Sequence, residues 1–225
     1  MTIGIILAVI FLLEAGNICF RRIRNSSARK VTANGHKFLG VLFLVVAILH
    51  MVLVWPLIKQ RPITMYILGF VMIGAAIFAL LSFVLRKKLK QHWIWMHRGA
   101  ALIIGICLIL HIMIGITSLN RYKQLIEEIN IENVDITQVA DGSYIGDYDA
   151  GYVYARVKVN VKNGVINSVD LLEHRTERGK PAEVITDKIV QNQQVKVDAI
   201  AGATNSSKVI MKAVENALEE KSLTD

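Results

Sequence analysis

Four long apolar runs dominate the first half of the chain, at residues 2–20, 38–58, 65–85 and 99–119. Each approaches the roughly 20 residues that cross a bilayer as a helix. Past residue 120 the pattern changes. Residues 120–132 (NRYKQLIEEINIE) are polar and helical in character, a short connector. Val153, Ala155, Val157, Val159 and Val161 then alternate with mostly polar neighbours, the period-two signature of a half-buried strand. Asn163-Gly164 signals a hairpin turn, and residues 165–172 return as the second strand. Pro181 suits the first turn of a helix with Val184, Ile185, Ile189 and Val190 on its apolar face. Residues 195–197 read as a short strand. Val209, Ile210, Ala213, Val214, Ala217 and Leu218 mark an amphipathic helix. The pattern predicts a membrane all-α four-helix bundle (1–120), a connector (121–133) and a small α+β domain (134–225).

Charge fixes a direction. The chain carries a formal net charge of +8, but its basic residues are not spread as a nucleic-acid surface would be. Arg21, Arg22, Arg24, Arg29, Lys30 and Lys37 fall between the first and second runs, and Arg86, Lys87, Lys88, Lys90 and Arg98 between the third and fourth. Only Lys59 and Arg61 lie between the second and third. This is the positive-inside pattern. It puts the N-terminus and the whole α+β domain outside the cytoplasm, in a multi-pass protein of the cell membrane. The basic excess is a topology signal that makes lipid the partner of the first half, and nucleic acid is excluded as one. The first run has no basic n-region and no clear cleavage site, so it reads as a retained helix rather than a signal peptide. Trp55, Trp93 and Trp95 near run ends suit the interfaces. Cys19 and Cys107 both lie in apolar runs, so neither a disulfide framework nor a Cys-based metal site is expected.

Four of the six histidines carry a spacing. His36 and His50 are 14 residues apart on the second run's helix; His97 and His111 are 14 apart on the fourth. Fourteen residues turn through about 1,400°, roughly 40° short of four turns, so each pair shares a helix face about 21 Å apart along the axis. Both helices run from inside to outside. His36 can therefore face His97 near the cytoplasm, and His50 can face His111 in the outer half. Two facing imidazoles can supply both axial ligands of a haem iron. A histidine in a membrane helix can instead pair helices by hydrogen bonding, but matched spacing on two co-oriented helices favours ligation. The layout resembles the four-helix cytochrome b core over residues 36–111, which implies two haems b. His92, in the basic inner loop, reads as a solvated residue. Glu14, the one acid in the four runs, lies near Asn17 on the cytoplasmic side. It reads as a proton-handling group beside a quinone site or as a snorkelling residue.

The stretch 198–207, DAIAGATNSS, stands apart. Thr204 offers a hydroxyl on a turn before a helix. Asn205, Ser206 and Ser207 are candidate N-caps, Gly202 allows close backbone approach, and a helix N-terminus favours phosphate. Alone, that is an ordinary loop. The run Asp198-Ala199-Ile200-Ala201-Gly202-Ala203-Thr204 with Asn205-Ser206-Ser207 resembles the FMN-binding domain family, whose motif is Asp-x-x-Ser/Thr-Gly-Ala-Thr. Asp141-Gly142-Ser143-Tyr144-Ile145-Gly146 and the hairpin end Glu173-His174 also resemble it, and the likeness covers about 134–220. That family includes flavin-bearing subunits of the sodium-pumping NADH:quinone reductase and of ferredoxin:NAD reductase complexes. The resemblance implies FMN attached through a phosphoester to Thr204 by an extracytoplasmic flavin transferase that reads Asp198. It also implies a flavin environment of Gly202, Ala203, Ser206, Ser207, Tyr144 and His174, with Tyr152 a further candidate for stacking; hairpin packing is the other reading of Tyr144 and Tyr152, and a surface strand end that of His174. Ala201 departs from the motif, where Ser or Thr is usual.

The chain thus reads as a membrane electron conduit. A cytoplasmic donor or a quinol feeds two b-type haems, then FMN on Thr204, then an extracytoplasmic acceptor. Flavin-bearing subunit of a larger respiratory complex, and quinol-linked reductase, are the alternatives. No Gly-rich dinucleotide fingerprint is present, so NAD(P)H is not expected to bind this chain.

Overall fold

The computed structural model describes residues 2–16 and 26–219. It divides into two units: the chain to Ile58 with Pro62–Gly115, and Lys59–Arg61 with residues from Ile116 onward.

The first unit is helical. Helix α1 (Thr2–Gly16) precedes α2 (Ser26–Val54), which ends in a 3-10 turn at Trp55–Leu57 led by Pro56. Helix α3 (Ile63–Val84), the single turn α4 (Arg86–Leu89) and α5 (His92–Glu128) follow. Leu7, Ile10, Phe43, Ala47 and Ile104 form a small core. Much larger apolar side chains point outward: Leu12, Phe38, Val52 and Leu102 are each more than 60% exposed. Such a surface is costly in water and free of cost against lipid tails. Three helices, Lys30–Leu57, Ile63–Val84 and His92–Glu128, are long and apolar enough to cross a membrane, and Ile3–Gly16 is a shorter apolar helix. The expected readings at Asn17, Cys19, Arg21, Arg22 and Arg24 lie outside the described residues.

The sequence places the start of the fourth apolar helix too late and its end too early. Helix α5 runs unbroken through residues 120–128 because Arg121, Lys123, Gln124, Glu127 and Glu128 are good helix formers with no Gly or Pro among them. The polar connector is therefore a continuation of α5, not a separate element.

The second unit is a three-stranded antiparallel sheet, β1 (Gly142–Asp149), β2 (Tyr154–Lys162) and β3 (Val165–Arg175), in spatial order β1-β2-β3. It is joined to α6 (Ile185–Asn192) and α7 (Thr204–Glu219). The period-two pattern of β2 sends Ala155, Val157, Val159 and Val161 inward. Asn163 (φ 56°) and Gly164 (φ 69°) both take the left-handed conformation that a type I′ hairpin needs. The buried face of α7, Val209, Ile210, Ala213, Val214, Ala217 and Leu218, shares one core with those strands. Full burial of each valine or isoleucine contributes about 1.5–3 kcal/mol.

Two expectations are corrected. Residues 195–197 are not a strand. Val195 is buried, but the Lys196 amide donates to Asn133 Oδ1 (2.9 Å) and the Val197 amide approaches Met211 Sδ (3.5 Å), so neither is free for a ladder. Val184 is 51% exposed rather than on the apolar face of α6. It ends a 3-10 turn, Lys180–Val184, whose tighter winding rotates it outward, while Ile185 and Ile189 are fully buried as expected.

Two polar side chains close the unit. Gln193, left-handed at the C-cap of α6, donates to Ile166 O (2.9 Å) and accepts from Ile166 N (2.8 Å), imitating a strand partner for β3. Glu215, 2% exposed, accepts the Glu132 amide (3.0 Å) and pairs with Lys212 Nζ (2.7 Å). Replacing Glu215 with Ala strands the Glu132 N–H and should cost about 1–3 kcal/mol. Glu215→Gln, which keeps the acceptor, should cost less. At Gly146 any Cβ would strike the α7 backbone at Ala213 and Ala217. Gly146→Val should therefore loosen α7 by about 1–3 kcal/mol or more. Hydrogen exchange of α7 amides in the detergent-solubilised chain reads both effects; unchanged protection in Gly146→Val would show that the sheet and helix do not meet there.

Candidate functional site

In the helical unit, α2 and α5 bring the spaced histidines together. The His36 and His97 rings lie 5.9 Å apart between centroids and cross at 80°. His97 Nδ1 is 3.1 Å from the Ala79 carbonyl, which also accepts the buried Ser82 hydroxyl at 2.8 Å. His36 Nδ1 lies 3.4 Å from Glu14 Oε1, an ion-pair distance without hydrogen-bond alignment. Glu14 thus sits against His36 and beside Gly40, where a Cβ would meet its carboxylate at 3.6 Å. His111 faces the Met65 backbone, and His50 packs against Gly4. His92 is exposed at the start of α5, as a solvated residue should be.

What can such pairs hold? Among the described residues no group of three or more His, Cys, Asp or Glu could bind a bare metal ion. A haem iron asks the protein for only two ligands. Metal–imidazole bonds of about 2 Å on both sides set the centroids of two trans imidazoles roughly 6 Å apart. Metal-ligating histidines characteristically direct the other ring nitrogen to a carbonyl or carboxylate. Ala79 O and Glu14 occupy those positions for His97 and His36. The inner pair therefore fits the requirement in ring spacing, and His97 also in its outer partner, the Ala79 carbonyl.

In the second unit, Thr204 is exposed at the first residue of α7. The preceding turn is built for that exposure. Gly202 takes φ +76°, where a side chain would be strained, and the Ala203 amide donates to Ile200 O at 2.9 Å. Ala203 is buried and pins the turn; Asp198 and Ala201 are exposed. Because Ser207 N already donates to Ala203 O, Ser206 and Ser207 lie inside the first turn and are not N-caps. They are buried instead. Ser207 Oγ accepts the Ile200 amide and donates to Ala203 O, both at 3.0 Å, and Ser206 Oγ is 3.3 Å from Thr176 Oγ1. The N–H groups of Thr204, Asn205 and Ser206 have no acceptor within the helix and sit at its positive end, which suits a phosphate.

Three aromatic or histidine readings change. Tyr144 is 4% exposed in the core and donates to Ala140 O, so it has no face to offer a flavin. His174 is not a surface residue: its side chain is 2% exposed, with Nδ1 3.0 Å from Glu183 Oε1. Tyr152, 8% exposed, is covered by the Tyr122 ring at 5.2 Å and the Arg61 guanidinium at 4.2 Å. Arg61 is held in turn by Glu177. Tyr122 and Arg61 were invisible as site residues because their only signal was an aromatic in a polar helix and a lone base in a short loop. Tyr122 is tied directly to the turn: its hydroxyl accepts Asn205 Nδ2 at 2.8 Å.

Comparison with protein-family models matches residues 150–219 to the FMN-binding domain family. No curated protein matches the chain, and no solved structure does. The matched segment runs from the β1–β2 turn through Thr204 to the end of α7, and so the second unit of this chain carries an FMN-binding domain.

Proposed function

We propose that the chain is a transmembrane electron-transfer protein. Electrons from a cytoplasmic donor or a quinol pass two b-type haems, held by His36 with His97 and His50 with His111, to an FMN linked to Thr204 outside the cytoplasm. An extracytoplasmic acceptor takes them onward. The observation that carries the reading is the meeting of His36 and His97, with His50 and His111 at the same spacing further along the same two helices, in a chain whose other unit matches the FMN-binding domain family. Haem exchanges one electron and flavin one or two, so together they join one-electron to two-electron chemistry.

The residues of the chain supply ligation, orientation and attachment. Ala79 O lies at the Nδ1 side of His97 and the Glu14 carboxylate beside the Nδ1 side of His36, where the outer partners of ligating histidines would stand. Gly202 and the buried Ala203 present the Thr204 hydroxyl to solvent, where a flavin transferase can reach it. Covalent attachment suits a site outside the cytoplasm, where an exchangeable flavin would be lost. The topology has its own support. The charge pattern puts the loop between α2 and α3 on the same side as the C-terminal half, and Lys59–Arg61 fall in the second unit.

The purified chain, co-expressed with a flavin transferase, should show two b-type haems in its reduced-minus-oxidised spectrum. His36→Ala or His97→Ala should remove one haem, and His50→Ala or His111→Ala the other. A chain without haem would reduce the helical unit to an anchor and end the transmembrane route. On a denaturing gel under ultraviolet light the band should fluoresce, and Thr204→Ala should abolish that signal while leaving the haem content unchanged. Persistent fluorescence in Thr204→Ala would move the attachment to another residue.

A further inference from the structure

A cleft of about 400 Å³ opens in the second unit. One wall is the end of α5, with Ser118, Arg121, Tyr122 and Leu125; the other is the β1–β2 turn at Asp149–Gly151. We propose that this cleft is the seat of the isoalloxazine ring, with Tyr122 its stacking platform and Arg121 its cationic edge. The proposal rests on the reading of Thr204 as the FMN attachment residue.

Position comes first. Asn205 follows Thr204 directly, and its amide donates to the Tyr122 hydroxyl at 2.8 Å. The wall of the cleft is therefore tied to the residue next to the attachment point, well within the reach of a phosphoribityl chain. The volume falls within the roughly 300–1,000 Å³ typical of small-molecule sites. Of the aromatic side chains near the turn, Tyr152 is used up between Tyr122 and Arg61, while Tyr122 is only half-buried and lines the cleft. Arg61, Tyr152 and Tyr122 pack in series like a stack, with Arg61 4.2 Å from the Tyr152 ring centre and the two tyrosine rings 5.2 Å apart and tilted by 43°. Such a stack restrains Tyr122 before any ligand arrives. A flavin ring would extend it by one member.

Charge comes second. Reduced flavin gathers negative charge at its N1–C2 carbonyl edge, and a nearby cation favours that form. Arg121 is the cation that lines the cleft. Asp149 is occupied elsewhere, accepting the Gly151 amide at 2.7 Å and lying 3.4 Å from Arg175 Nη2. The α5 residues of the seat all precede the segment that matches the FMN-binding domain family. This chain would thus complete its flavin site with residues from outside the conserved domain model.

The test uses the full chain loaded by a flavin transferase, with Tyr122→Leu, Tyr122→Phe and Arg121→Gln. The phenol of Tyr122 is electron-rich and quenches a flavin stacked on it. Tyr122→Leu should raise native flavin fluorescence several-fold, whereas Tyr122→Phe should change it far less. Arg121→Gln, at an exposed position, should disfavour the reduced flavin about tenfold, a fall of about 30 mV for a two-electron couple. In every variant the fluorescent band on a denaturing gel should keep its strength, because attachment is untouched. Native fluorescence and potential equal to wild type in both Tyr122→Leu and Arg121→Gln, with the band intact, would overturn the seat alone. A wild-type chain with no covalent flavin would instead overturn the Thr204 reading and the seat with it.

Discussion

A polar group surrounded by apolar atoms must find a partner, and both units are organised by that requirement. An amide or hydroxyl left unpaired in such a place costs on the order of a few kcal/mol. In the helical unit the Ala79 carbonyl therefore takes both Ser82 and His97. In the second unit Glu215 takes the Glu132 amide, Gln193 takes both backbone groups of Ile166, and Ser207 closes the turn before Thr204. Each pairing fixes a segment that hydrophobic packing alone would leave free to slide, since packing is non-directional.

The same requirement separates what the sequence makes legible from what it hides. Apolar periodicity reads the burial of whole faces, so α7 and β2 are visible down to the individual valines and alanines. The matched histidine spacing is visible because helix geometry converts residue number into angle. Polar partners that meet across large sequence separations leave no local mark. Glu215 and Glu132 are 83 residues apart, as are Asn205 and Tyr122. The amides of residues 196 and 197 illustrate the limit: their β-branched run looks like a strand, yet Asn133 and Met211 claim them first.

At the candidate flavin site, the resemblance points to Thr204, which is exposed, and to Tyr144 and His174, whose side chains are buried. In the proposed seat the face toward the ring comes from the C-terminal end of α5, ahead of the segment that matches the family.

On the proposed attachment at Thr204, the small, polar turn answers two demands: a hydroxyl modified by another protein has to stand clear of its own domain, and the bond it forms must be held in place afterwards. Gly202 and Ala203 meet the two demands separately. The left-handed glycine lifts the chain out, and the buried alanine returns it at once to the core. Ser207 then anchors the turn from beneath by bonding to Ile200 and Ala203. A larger residue at 203 would lose its place in the core, and a side chain at 202 would strain the backbone. Small size here is the condition for an exposed threonine on a rigid base, at the positive end of a helix whose other face is the core of the domain.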